Sequence, residues 1–162
     1  MKRVYLLLPI IAILAGCGCY SFSGSTLPSH IKTVAVPLFT NRTTQYGIEE
    51  KLTESLINAL VRDNTLKVVP EGRADSVLRG SIVDYKKEAY TFDENENVKE
   101  YIVRIYVTAS FEDLRKKREL WKEEKLEGWG FYLAQGETED DAQERAIAKL
   151  SEDLVNKLIA GW

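Results

Sequence analysis

Apolar and polar positions switch period several times along this 162-residue chain, and the switches mark its elements. Ile31 to Val36 is a β-branched run stopped by Pro37, the pattern of a buried strand. Phe39 to Thr44 reads as a polar turn. From Gln45 to Asn64, Ile48, Leu52, Leu56, Ala59 and Leu60 recur at helical spacing and predict an amphipathic helix. Thr43 or Thr44 is placed to cap its start, and Glu49 and Glu50 suit its first turn. Leu66 to Val69 predicts a short strand that stops at Pro70. A strand–helix–strand unit with short links makes a right-handed crossover, so these two strands should run parallel.

Period two takes over at Ser76. Ser76 to Phe92 predicts a long strand with Leu78, Gly80 and Ile82 on one face. Tyr85 carries the next large apolar group, which calls for a bulge near Asp84. Asp93 to Asn97 is a polar turn. Tyr101, Val103, Ile105, Val107, Ala109 and Phe111 then alternate with Glu100, Ile102, Arg104, Tyr106, Thr108, Ser110 and Glu112. One face of that strand should meet a core and the other should be mostly wet. Ile102 and Tyr106 fall on the wet face, where Tyr85, Tyr90, Trp121 and Trp129 are candidates to join them in an aromatic patch.

Arg115 to Arg118 is a charged hairpin turn, and Glu119 to Tyr132 returns as a strand. Within it, Gly128 and Gly130 put Trp129 and Phe131 on the opposite side. Glu139 to Ala160 predicts a second amphipathic helix with Ala146, Ile147, Leu150, Leu154 and Leu158 as its core stripe. Thr138 and Asp141 make a capping-box-like start, and Gly161 suits the C-cap. The order β-α-β-β-β-β-α predicts an α/β two-layer sandwich. Its two amphipathic helices pack on one face of a mixed β-sheet of about four to five strands.

The first residues follow a different rule. Lys2 and Arg3 precede an apolar run, Val4 to Leu14, which leads through Ala15 and Gly16 to Cys17. The run is shorter than the roughly 20 residues of a membrane-spanning helix. A basic start, a short apolar stretch and a small pair abutting a cysteine form a bacterial lipoprotein signal. It predicts cleavage before Cys17 and a diacylglyceryl group on its thiol. Gly18 in place of an aspartate favours the outer membrane. The expected organisation is a signal over 1–16, a lipidated tether over 17–30 rich in Gly, Ser, Thr and Pro, and one domain over 31–162.

Charge and candidate chemistry narrow the function. The full chain has 22 basic and 25 acidic residues; without Lys2 and Arg3 the remainder stands at −5. An acidic chain suits nucleic acid poorly, since that binding rests on phosphate neutralisation. Lipidation of Cys17 leaves Cys19 without a disulfide partner, and a metal or redox pair is disfavoured. His30, the only histidine, precedes a strand with no cysteine or acidic cluster nearby, and reads as a surface residue. Gly128-Trp129-Gly130 lacks the Lys-Ser/Thr ending of a phosphate loop, and Asp93 to Asn97 lacks the glycine of a calcium loop. The expectation is a non-enzyme with no metal and no cofactor beyond the lipid on Cys17. Arg115, Lys116, Lys117 and Arg118 are either an ordinary solvated turn or a landing place for anionic phosphates.

Several stretches together resemble a known family. They are Cys17-Gly-Cys-Tyr20-Ser-Phe22, the strand His30 to Pro37, and Phe39-x-Asn41-Arg-Thr43 before a Glu-rich helix. Ala74-Asp75-x-Val77-Leu78-x-Gly80, Phe111-x-Asp113-Leu114 and Leu120-Trp121 continue the likeness in order. The chain is similar to the lipopolysaccharide-assembly lipoprotein family (LptE). The resemblance implies an outer-membrane lipoprotein, anchored on the periplasmic face, that plugs and helps assemble the LptD β-barrel and binds lipopolysaccharide. It carries Cys17 over as the lipidated residue. Arg115, Lys116, Lys117 and Arg118 are nominated as lipopolysaccharide contacts on charge alone. Val34-Ala-Val36-Pro37-x-Phe39-x-Asn41 before an amphipathic helix is also similar to curli-secretion-type and cell-wall-synthase-activating envelope lipoproteins, the alternative reading.

Overall fold

In a computed structural model, which describes residues 27–160, three long antiparallel strands form the frame on which everything else is laid. The elements are β1 (Thr33–Ala35), β2 (Thr40–Asn41), α1 (Ile48–Asp63), β3 (Lys67–Val68), β4 (Ser76–Phe92), β5 (Val98–Asp113), β6 (Arg118–Leu133) and α2 (Glu139–Ala160). The expectations for the 1–16 signal, Cys17, Cys19, most of the tether and Gly161 lie outside the described residues.

The sheet runs β3-β1-β4-β5-β6, with β2 also paired to β4. β1 is parallel to β3 and to β4, as the crossover requires; β4, β5 and β6 are antiparallel neighbours. The five strands of this path agree with the expected count, and β2, which lies in the expected turn over 39–44, adds a sixth. β4 is far longer than β1, which ends at Ala35, so β4 has an unpaired edge beyond it. Thr40 and Asn41 fill that edge beside Ser81 and Ile82. The two helices pack against each other and on one face, giving the two-layer sandwich.

The helix-covered face is built for close approach. Gly80 faces the Phe39 ring, which occupies the space a side chain would take. The Phe39 N–H donates to Thr53 Oγ1 at 3.1 Å, tying the β1–α1 connection to the helix. A methyl group at Gly128 or Gly130 would overlap the carbonyl oxygens of Ala146 and Ala142, so α2 lies directly on the β6 backbone. Leu52, Leu56, Leu78, Ile105, Leu150 and Leu154 fill the interior and are fully buried.

Three local expectations need correction. α1 begins at Ile48 behind Gly47 (φ +74°), and neither Thr43 nor Thr44 caps it. Asn41 claims Thr43 instead: its Oδ1 accepts the Thr43 N–H (2.9 Å) and hydroxyl (2.8 Å). Its Nδ2 donates to the Gln45 carbonyl and to Glu49, which fixes the entry to the helix. The bulge expected near Asp84 is present as a register slip between Ile82 and Asp84. The slip turns Tyr85 toward the helices, where it packs against the core and donates its hydroxyl to Glu139 Oε1 at 2.8 Å. Tyr85 is therefore no part of the open face. Neither is Trp121, which is buried in the core against Phe111.

Candidate functional site

Two surfaces carry the features that sequence patterning singled out: the helix-free face and the β5–β6 turn. On the first, alternation places Glu88, Tyr90, Ile102, Arg104, Tyr106, Glu127, Trp129 and Phe131 away from the helices. Ile102 and Tyr106, expected to be wet, are 3% and 9% exposed. Their cover comes from neighbours on the flanking strands. Phe131 stands opposite Ile102 in register, and its ring lies 4.6 Å from the Tyr90 ring on the far side of β5, so the two rings close over Ile102. Trp129 extends the cluster at 5.3 Å from Phe131 and stays 41% exposed.

Tyr106 is roofed by cations instead. Lys125 and Lys86 hold their ammonium groups 4.4 and 5.8 Å from its ring centroid. Arg104 beside it pairs with Glu127 at 2.6 Å and Glu88 at 3.4 Å. Further along, Arg79 pairs with Glu112 and Glu71, and Lys122 with Glu124. Among the described residues this face is a lattice of ion pairs with one aromatic end.

The β5–β6 turn is held by two buried carboxylates that sequence reasoning did not assign a task. Asp113 is fully buried, and its Oδ1 accepts the N–H groups of Arg115 and Lys116, both at 3.0 Å. Its Oδ2 lies 2.8 Å from His30 Nε2. Burial pushes the Asp113 carboxyl up, but the Lys116 N–H, the His30 ring and the Arg115 N–H outweigh it and hold it below its ordinary value. Asp75 accepts the N–H groups of Lys32 and Thr33 and the Thr33 hydroxyl, and pairs with Arg115 at 2.6 Å. The Lys32 N–H bond is the main cause of its lowered pKa, with burial opposing and Thr33 and Arg115 adding to it. Asp75 and Asp113 thus lock the end of the tether, the start of β1 and the basic turn into one unit.

That arrangement divides the nominated cluster. Arg115 belongs to Asp75, whereas Lys116, Lys117 and Arg118 are exposed and have no ion partner among the described residues. His30 is not a free surface residue, as expected, but a half-buried one that joins the tether to Asp113. Cys17 lies outside the described residues. The signal for Asp75 and Asp113 was available in the topology: β1 and β4 start side by side where β5 ends, which places both carboxylates at one end of the sheet.

Comparison with known proteins follows the same outline. The model of the lipopolysaccharide-assembly family (LptE) matches residues 31–160. No sequence among the curated proteins matches the chain. The fold is similar to the PelC dodecamer subunit of Paraburkholderia phytofirmans, at 15% identity and TM-score 0.54, over 86% of this chain and 96% of that one. It is also similar to a minor lipoprotein from Acinetobacter baumannii, at 18% identity and TM-score 0.52, over 81% of this chain and 92% of that one. At these identities the likeness concerns the fold alone. No helix among the described residues is long and apolar enough to cross a membrane.

Proposed function

Because the chain belongs to the lipopolysaccharide-assembly (LptE) family, we propose that it is the lipid-anchored plug of an LptD-type outer-membrane β-barrel and binds lipopolysaccharide there. The family is one of non-enzymatic lipoproteins, and the reading rests above all on the match across 31–160. The helix-free face supports it. The lumen of a large barrel is polar and wet, and a face laced with Arg104–Glu127, Arg79–Glu112 and Lys122–Glu124 pairs suits such a wall better than lipid.

In this reading the lipid on Cys17 holds the domain at the inner leaflet of the outer membrane. A single acyl chain anchors only marginally, so the full lipid set on Cys17 is needed to hold the domain there. Lys116, Lys117 and Arg118 are the cations left to contact lipopolysaccharide phosphates, since Arg115 already has a carboxylate.

The test is affinity purification of the tagged full chain from solubilised outer membranes. A large β-barrel recovered in about one-to-one ratio supports the plug. A homo-oligomer or a cell-wall synthase instead overturns it in favour of the other envelope lipoproteins. Lys116→Gln, Lys117→Gln and Arg118→Gln together should weaken lipopolysaccharide binding with the fold intact. Unchanged affinity at low salt removes the turn from the site.

A further inference from the structure

The basic turn is one part of a longer charged rim. β1, β3, β4 and β6 all start at the end of the sheet where β5 finishes. Residues just before or at those starts therefore share one edge of the molecule. Lys32, Lys67 and Arg73 join Lys116, Lys117 and Arg118 there. All six are exposed, and none has an ion partner among the described residues. The carboxylates nearby are mostly taken: Asp75 by Arg115, Asp113 by His30 and Glu71 by Arg79. Asp63 accepts the Thr65 N–H, and Glu119 is the carboxylate left over.

The opposite end has the other sign. The β4–β5 turn carries Asp93, Glu94 and Glu96 against Lys99, and at the approach to α2 Glu137, Glu139 and Asp140 pair with Arg145, Lys87 and Lys51 while Asp141 adds a further negative charge. Strands of 16 and 17 residues separate the two ends by about 50 Å. That is several Debye lengths, so a charged surface near one end acts on that end alone. A chain that is acidic in sum is thus a polar rod.

The anchor selects which end meets a membrane. Leu27 packs on the core and His30 pairs with Asp113, so the tether reaches the domain at the basic rim. Ten residues separate Cys17 from Leu27 and span at most about 36 Å. Leu27 cannot be farther than that from the lipid, while the acidic end lies about 50 Å from the rim.

We propose that, before the lipidated chain is seated in a barrel, this rim docks on the anionic phospholipid headgroups of the leaflet that holds the anchor, so that the domain stands on its basic end with Asp93–Asn97 pointing away. The proposal rests on the reading of Cys17 as lipidated. It extends the phosphate contact from the turn to the whole rim and makes phospholipid the partner there until the domain enters the barrel, where Lys116, Lys117 and Arg118 meet lipopolysaccharide. Each cation held at an anionic surface is worth about fivefold in partition, and salt weakens it.

The test uses the full lipidated chain in vesicles, with Cys19→Ser and one fluorophore at Glu119→Cys on the rim or at Asn95→Cys on the far turn. Quenchers sit at headgroup level. In phosphatidylcholine with phosphatidylglycerol, the label at 119 should be quenched and the label at 95 should not. High salt, or glutamine at all six rim cations, should abolish the difference while the protein still floats with the vesicles. Equal quenching of the two labels, or stronger quenching at 95, overturns the proposal. Quenching at 119 that needs lipopolysaccharide in place of phosphatidylglycerol also overturns it and returns the turn to the lipopolysaccharide reading alone. Failure to float in phosphatidylcholine overturns the premise, the lipid on Cys17, and is recognisable as such.

Discussion

The two faces of the sheet bury similar side chains by different means. On the helix-covered face, Ile105 is sealed beneath a second layer that touches the strand backbone at Gly128 and Gly130. On the open face, Ile102 is sealed by two rings leaning in from the neighbouring strands, and Tyr106 by the ammonium groups of Lys86 and Lys125. One face depends on backbone-to-backbone fit, the other on side chains that can rearrange. The first face should therefore be intolerant of substitution and the second adaptable, as a surface that meets a partner needs to be.

Gly130→Val gives the largest expected effect. Its side chain would overlap the Ala142 carbonyl, and α2 cannot yield without losing its seat on β6. A loss of more than about 4 kcal/mol by urea unfolding is expected, a large fraction of the stability of a domain this size. Trp129→Ala, one residue away on the open face, should cost about 1 kcal/mol. Equal losses would mean that the two faces do not differ as argued.

Ile105 and Ile102 sharpen the contrast, being the same residue type three positions apart on β5. Ile105→Ala should cost about 4 kcal/mol, because the surrounding layer cannot collapse into the cavity. Ile102→Ala should cost about 2 kcal/mol, because Tyr90 and Phe131 can sink inward.

These faces were only half legible in the sequence. Strict alternation along β5 identified which residues point which way, and Gly128 and Gly130 identified the side without bulk. What alternation cannot give is what stands above the outward residues. Cover over Ile102 depends on rings from both neighbouring strands, brought together through a register that is set by bulges in β4 and β6. The β4 slip near Asp84, which the spacing called for, turns Tyr85 inward and takes it out of the open-face patch. Thr43 was misassigned for a related reason: a local cap competes with local turns, and Asn41, close by in sequence, offered the better partner. The basic turn was visible as four charges, but its division into Arg115 and the other three needed Asp75, which is distant in sequence and adjacent in the fold.

The rim depends on carboxylates rather than on a layer. Asp113→Ala leaves two turn N–H groups and His30 without their acceptor and should cost about 2–3 kcal/mol. The pH dependence follows. Asp75 and Asp113 have lowered pKa values, so the unfolded chain binds protons more readily than the folded one. Their contribution is present above the ordinary aspartate value of 3.8 and is lost as pH falls through the lowered folded values. Thermal melts should show stability falling below about pH 5. The fall should be shallower in Asp75→Asn and Asp113→Asn, each already weaker at neutral pH. An unchanged slope in both would mean that other carboxylates govern the acid limb.

The smallest effect should come from the open face's own lattice. Arg104 bonds Glu127 at 2.6 Å, but the side chains are 30% and 37% exposed, so water screens the pair. A double-mutant cycle of Arg104→Gln and Glu127→Gln should return a coupling of about 0.5 kcal/mol, falling with salt. A pair worth so little to the fold is weak as a structural device, yet it keeps this face polar. If the face lies against a wet barrel wall, the same two substitutions should change recovery of the barrel far more than they change the melting temperature. A coupling above about 2 kcal/mol with unchanged recovery would mean that the lattice serves the fold, and the open face would lose its claim to the partner.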